Sequence, residues 1–150
     1  MNVDENVFFR QTTLRICGSL NIVTALKRSF DYINLFIPMN RMTLCILDTD
    51  LNVLKFVASI GDGIMEDFEQ VVPLPEKGRN ERATLLKNGE MVRILNQPDE
   101  ELGTKEIQER LGLNPNISIL SMVLRLEGNS IGNLGLLADL CHCNVQRTET

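Results

Sequence analysis

The stretch that most constrains how this chain can fold is Ser118-Ile-Leu-Ser-Met-Val-Leu-Arg-Leu-Glu-Gly-Asn-Ser-Ile-Gly-Asn-Leu-Gly-Leu-Leu-Ala138. Two apolar, β-prone runs flank Glu127-Gly128-Asn129-Ser130, in which Gly128 and Asn129 are residues that accept the positive φ of a tight hairpin turn. A β-hairpin follows from that pattern. Gly132 and Gly135 recur inside the second run, where a strand ordinarily avoids glycine. Their presence there means that a helix, a bulge or a ligand comes close to the backbone.

Upstream, the apolar spacing changes from two to between three and four. A first helix is expected from about Asp4 to Leu20, with Phe9, Thr12, Thr13, Ile16 and Leu20 on one side and Arg10, Gln11 and Arg15 facing away. Asn21 is placed to cap a second helix carrying Ile22, Leu26, Phe30, Ile33 and Ile37 as one stripe, stopped by Pro38. Met42–Leu47 is apolar on both faces, as in a central strand covered on both sides. Asp48–Asn52 turns the chain into a partner strand over Val53–Ile60, closed by Gly61-Asp62-Gly63. Val71–Leu74 is a short edge strand, since Pro73 cannot donate to a ladder. Asn80 is expected to cap a short helix over Glu81–Asn88, ended by Gly89. Met91–Leu95 is a further strand, Pro98–Glu101 a solvated loop, and Thr104 caps a helix through Leu111 before Gly112. With no repeat and no low-complexity linker, residues 1–150 form a single domain.

Composition excludes several functions. The 20 acidic and 15 basic residues leave a net charge of -5, and the basic residues are scattered, with Lys77, Arg79, Arg82 and Lys87 interrupted by Glu76 and Glu81. A duplex-binding surface needs clustered cations, so direct nucleic-acid binding is not expected. The chain has no Trp, the usual stacking platform for bases. No apolar run approaches the roughly 20 residues that span a bilayer, and no signal peptide precedes the first charges, so a cytoplasmic location without membrane contact is expected. Cysteines 17, 45, 141 and 143 show no disulfide framework spacing.

Cys141-His142-Cys143 is the most conspicuous chemical cluster, since thiolates and imidazole bind zinc or iron. On a strand, however, His142 faces away from Cys141 and Cys143, and no second His exists to complete a site. The expectation is therefore no metal and no cofactor. The same single His leaves no nucleophile–base pair, so an enzyme is not expected. Gly128, Gly132 and Gly135 precede no helix N-terminus and cradle no phosphate.

The hairpin with its Leu126-Glu-Gly-Asn-Ser-Ile-Gly132 turn and glycine-bearing return strand resembles the closing hairpin of GAF domains, which are small-molecule sensor modules. The order helix, helix, hairpin, edge strand, helix, strand, helix, hairpin is similar to theirs over nearly the whole chain. The run Phe8-Phe-Arg-Gln-Thr-Thr-Leu-Arg-Ile-Cys-Gly-Ser-Leu-Asn-Ile-Val-Thr-Ala-Leu26 resembles the start of the N-terminal GAF domain of bacterial sigma-54-dependent regulators. The resemblance implies an α+β fold: a central antiparallel sheet of five to six strands, N-terminal helices on one face and a helix-loop segment over the other. It implies a sensor of a small-molecule effector of unknown identity that controls a downstream ATPase and a DNA-binding module. It implies too a fragment of a longer regulator, truncated before or within a C-terminal helix that would lie beside the first.

In such domains the ligand lies between the sheet and the crossing segment, here about Gly61 to Leu111. Thr43, Cys45, Ser121, Val123 and Leu136 are the candidates on the sheet, with Arg93 or Arg125 to meet a carboxylate. The constellation of cyclic-nucleotide-binding members is absent, and no bilin-attachment cysteine is identified. Some regulators of this kind hold a non-haem iron, but its ligands match no positions here. An uncovered first helix implies a homodimer through Phe9 and Ile16. The alternatives are a structural or dimerisation domain without ligand, and a thiol redox enzyme of the free methionine sulfoxide reductase type.

Overall fold

The computed structural model describes residues 4–17, 21–61, 70–96, 104–110 and 112–139. In chain order they form α1 (Glu5–Cys17), α2 (Ile22–Ile33), β1 (Arg41–Asp48), β2 (Val53–Gly61), β3 (Gln70–Pro73), α3 (Glu76–Lys87), β4 (Val92–Leu95), α4 (Thr104–Arg110), β5 (Ile117–Leu126) and β6 (Asn129–Asp139). The six strands make one antiparallel sheet in the order β3-β2-β1-β6-β5-β4. The fold is α+β, with α2 on one face of the sheet and α3 and α4 on the other.

Helix α2 begins where the sequence says it should. Asn21 is extended, and its side-chain oxygen accepts from the Thr24 N–H, satisfying one of the helix's orphan donors. Ala25, Leu26, Ser29 and Ile33 are buried, and Leu26 and Ile33 join Met42, Ala58, Ile60 and Leu136 in the main core. The Ser29 hydroxyl is satisfied by donating to the Ala25 carbonyl at 2.8 Å. The ends of the expected stripe are not buried: Ile22 and Ile37 are exposed. The helix stops at Ile33, ahead of Pro38, because the Asn34 side chain accepts from the Met39 N–H at 2.9 Å and folds the chain toward β1.

Helix α1 turns a different side inward from the one its spacing suggests. Phe9 is 73% exposed, whereas Phe8, Thr12 and Arg15 are half-buried. The aromatic cluster decides this. Phe8 stacks on Tyr32 at 5.8 Å and meets Phe36 edge-on at 5.4 Å, while the Arg15 guanidinium lies 4.1 Å from the centre of the Tyr32 ring. Leu20 and the Ile16 side chain lie outside the described residues, as do Pro98–Glu101 and Cys141-His142-Cys143.

Asn80 does not cap α3. The helix starts five residues earlier than expected, at Glu76 behind an extended Pro75, and Asn80 lies within it, its carbonyl accepting from the Thr84 hydroxyl. Proline's fixed φ suits this entry to the first turn. Gly89 ends the helix as expected, at φ +72, with the Glu90 N–H bonded back to the Leu85 carbonyl.

The β5–β6 turn is tighter than four residues. Glu127 and Gly128, at φ +51 and +83, make a two-residue loop, and Asn129 already opens β6. Paired positive φ values match the right-handed twist of the strands. A bulge follows, with Leu124 opposite Gly132 but Arg125 opposite Ser130, leaving Ile131 as the extra residue. It swaps the faces of everything beyond it. Leu136 consequently belongs to the α2-side core, and Gly135 and Asn133 turn toward α3.

Candidate functional site

On the sheet face away from α2, one row runs Ser59, Thr43, Gly135, Ser121 and Arg93 across β2, β1, β6, β5 and β4. The next row toward the hairpin is Phe56, Cys45, Asn133 and Val123. Phe56 reaches this face because β2 also carries a bulge opposite Leu44 and Cys45. Over these rows α3 presents Gly78, Arg82 and Leu85, and α4 adds Ile107; between them lies a cavity of about 80 Å³. Glycine at 132 and 135 is required by the strand beside it. A Cβ at Gly132 would sit 2.0 Å from the Cys45 carbonyl oxygen, and one at Gly135 2.7 Å from Thr43 Oγ1.

Arg82 spans the site. Its Nη2 donates to Ser130 Oγ at 2.9 Å, to the Gly132 carbonyl at 3.1 Å and to Asn133 Oδ1. Asn133 is thereby oriented with its Nδ2 donating to Ser121 Oγ at 2.7 Å. Arg93 instead pairs with Glu81, at 2.9 Å. Burial lowers the Arg82 pKa, with the like charge of Arg93 acting in the same direction, yet a guanidinium keeps its proton at any ordinary pH. Burial pushes the Cys45 thiol up to about 11, even though it lies against the Asn133 carbonyl and near Arg82. The thiol is therefore neutral at physiological pH and is no nucleophile there. Among the described residues no three His, Cys, Asp or Glu side chains gather into a metal site.

No protein-family model matches the sequence, and no curated protein sequence matches it. Solved structures do match in shape. The GAF domain of A. aeolicus Nlh2 superposes with a TM-score of 0.57 at 14% identity, over 90% of this chain and 78% of that one. The GAF domain of a phosphoenolpyruvate-protein phosphotransferase from Coxiella burnetii gives 0.57 at 17% identity, covering 89% and 76%. This is the GAF fold. The chromophore-binding domain of a bacteriophytochrome from R. palustris gives 0.56 at 15% identity, and there the chain covers 90% of itself but 54% of the other.

Within this GAF fold, Thr43, Cys45, Arg93, Ser121 and Val123 all line the cavity. Leu136 does not, for the reason of the bulge. Nor does Arg125, which is exposed and donates to the Gly128 carbonyl at 3.1 Å, clasping its own turn. Two central groups were missed by reading the sequence, Arg82 and Asn133. Arg82 was legible only as part of a scattered basic group. The available signal was its spacing: it falls four residues after Gly78 and three before Leu85, on the small and apolar side of α3. Asn133 had no signal, because the bulge at Ile131 inverts the alternation that would place it.

Proposed function

We propose that this GAF domain is a sensor, binding a small molecule in the cavity beneath α3 and controlling an attached transcriptional activator. The observation that carries this is the cavity itself, with Thr43, Ser121, Asn133 and Arg82 set among apolar walls. Small-molecule sites have that composition: mostly apolar, with a few placed polar groups. The resemblance of Phe8–Leu26 to sigma-54-dependent regulators supports an ATPase and a DNA-binding module as the downstream parts. The domain acts without catalysis and without touching nucleic acid or membrane, in the cytoplasm. No helix among the described residues is long and apolar enough to cross a membrane, and burial makes the cavity thiol less reactive.

Native mass spectrometry of the purified chain, followed by a thermal-shift screen of small metabolites, tests this. A retained or stabilising compound whose effect disappears in Ser121→Phe, which fills the cavity, is the expected result. A screen in which nothing binds, with no retained mass, would refute it. A second reading, a dimerisation domain, is favoured by a separate observation: Val7, Phe9 and Leu14 on α1 are all more than half exposed. Both properties are compatible in one sensor, with α1 forming the seam between two copies.

A further inference from the structure

Among the described residues two charged ones line the cavity, Arg82 and Arg93, and both are cations. Glu81 neutralises Arg93 at 2.9 Å. Arg82 has no such partner among the described residues: its three acceptors, Ser130 Oγ, the Gly132 carbonyl and Asn133 Oδ1, are all uncharged. Its Nε is buried and has no acceptor among them either. Native proteins pair the charges they bury. The thiol of Cys45 offers no internal counter-ion, being protonated. In a chain of net charge -5, a cation held in this way marks the place of an anion.

We propose that the cavity binds a short-chain carboxylate, held by the guanidinium of Arg82, the lining cation that no acidic side chain among the described residues meets. The inference rests on the sensing role above and names the chemical class of the ligand. A hydrogen bond from a guanidinium to a carboxylate is about twice as strong as one between neutral groups. Size sets the remainder of the molecule. A cavity of about 80 Å³ holds roughly six waters, or a molecule with a similar number of heavy atoms. Phe56, Leu74, Leu85 and Ile107 wall it, so the part beyond the carboxylate is aliphatic. A bare phosphate would leave those walls uncovered.

The test uses the full chain and three probes: butyrate, butyramide and inorganic phosphate, titrated by calorimetry into wild type, Arg82→Met and Arg82→Lys. Circular dichroism checks that each variant folds. Butyrate is expected to bind wild type at least tenfold more tightly than either other probe. Arg82→Met should weaken butyrate about tenfold to a hundredfold, the range for hydrogen bonds to a charged group, and weaken butyramide far less. Arg82→Lys, which keeps the charge but not the guanidinium's set of donors, should fall between. Equal binding of butyrate and butyramide to wild type would overturn the inference and leave the sensing pocket standing, and so would butyrate binding that ignores Arg82→Met. Phosphate binding as tightly as butyrate would overturn the carboxylate class. Silence of all three probes also overturns the inference; the sensing role falls with it only if the wider metabolite screen finds nothing. Should Arg82→Met not fold, the acid-against-amide comparison in wild type decides alone.

Discussion

Replacing Gly132 with alanine tests how closely β1 and β6 run beneath the cavity. The added methyl would lie 2.0 Å from the Cys45 carbonyl oxygen, 3.0 Å from its carbon and 3.1 Å from Ile46 Cα. All three are backbone atoms, so no side chain can rotate out of the way. A carbon–oxygen contact settles at about 3.3 Å, and the strands must therefore part by roughly 1.3 Å. The pairs Cys45–Asn133 and Ile46–Gly132 sit at that point. A ladder bond stretched from about 2.9 Å by that amount is no longer a hydrogen bond. Two such losses at about 1 kcal/mol each, with about 1–3 kcal/mol for overpacking, give a cost of about 3–5 kcal/mol. Against a total of about 5–15 kcal/mol that is a severe loss, equivalent to about 6–20 °C in melting midpoint for a chain of this size. Urea unfolding at 25 °C, fitted with a common slope, measures it. Gly128→Ala is the internal comparison: it meets nothing within 4 Å and is strained solely by its φ of +83, which costs about 1–2 kcal/mol. Should Gly132→Ala cost no more than Gly128→Ala, the close approach of β1 is refuted.

Cys45 makes stability depend on alkaline pH. Its folded pKa is raised from 9.0 to about 11, so between those values the unfolded chain releases a proton that the folded one keeps. Stability is fully present below pH 9 and declines as pH rises toward 11, by at most about 3 kcal/mol. Unfolding of wild type and Cys45→Ala at pH 7.5, 9 and 10 should show the wild type losing ground; a constant difference would count against the burial. Asn21→Ala removes the acceptor for the Thr24 N–H and should cost about 1 kcal/mol in denaturant unfolding. Phe9→Glu, at an exposed position of α1, should leave the melting midpoint unchanged and weaken self-association in a sedimentation series; a wild type that stays monomeric at high concentration argues against the α1 seam.

Local signals in this sequence carried most of the element order. Asn21 before Ile22 fixed the start of α2, Gly89 the end of α3, and Pro73 an edge position for β3, because each acts through its own backbone or through neighbours a few residues away. The alternation in β1 and β5 likewise set Thr43, Cys45, Ser121 and Val123 on a common face. What failed depended on residues far apart in the chain. The inward side of α1 was chosen by Phe8 meeting Tyr32 and Phe36 on a different helix and its following turn, and no periodicity within α1 can anticipate that partner.

Leu136 and Asn133 were decided by a single bulged residue, Ile131. Side chains alternate with a period of two, so one extra residue exchanges the buried and site-facing sets of the whole strand beyond it. Arg82 is the clearest case of the division. Its helix was partly legible, but its place in the site depends on β6, nearly fifty residues later, which supplies all three oxygens bound by its Nη2. Sequence determined the strands, the caps and the turn chemistry, since these are local free-energy minima of the backbone. Tertiary structure alone decided which face of β6 meets α3 and that Arg82 lines the cavity with no acidic partner among the described residues, since both are fixed by register and by burial between distant segments.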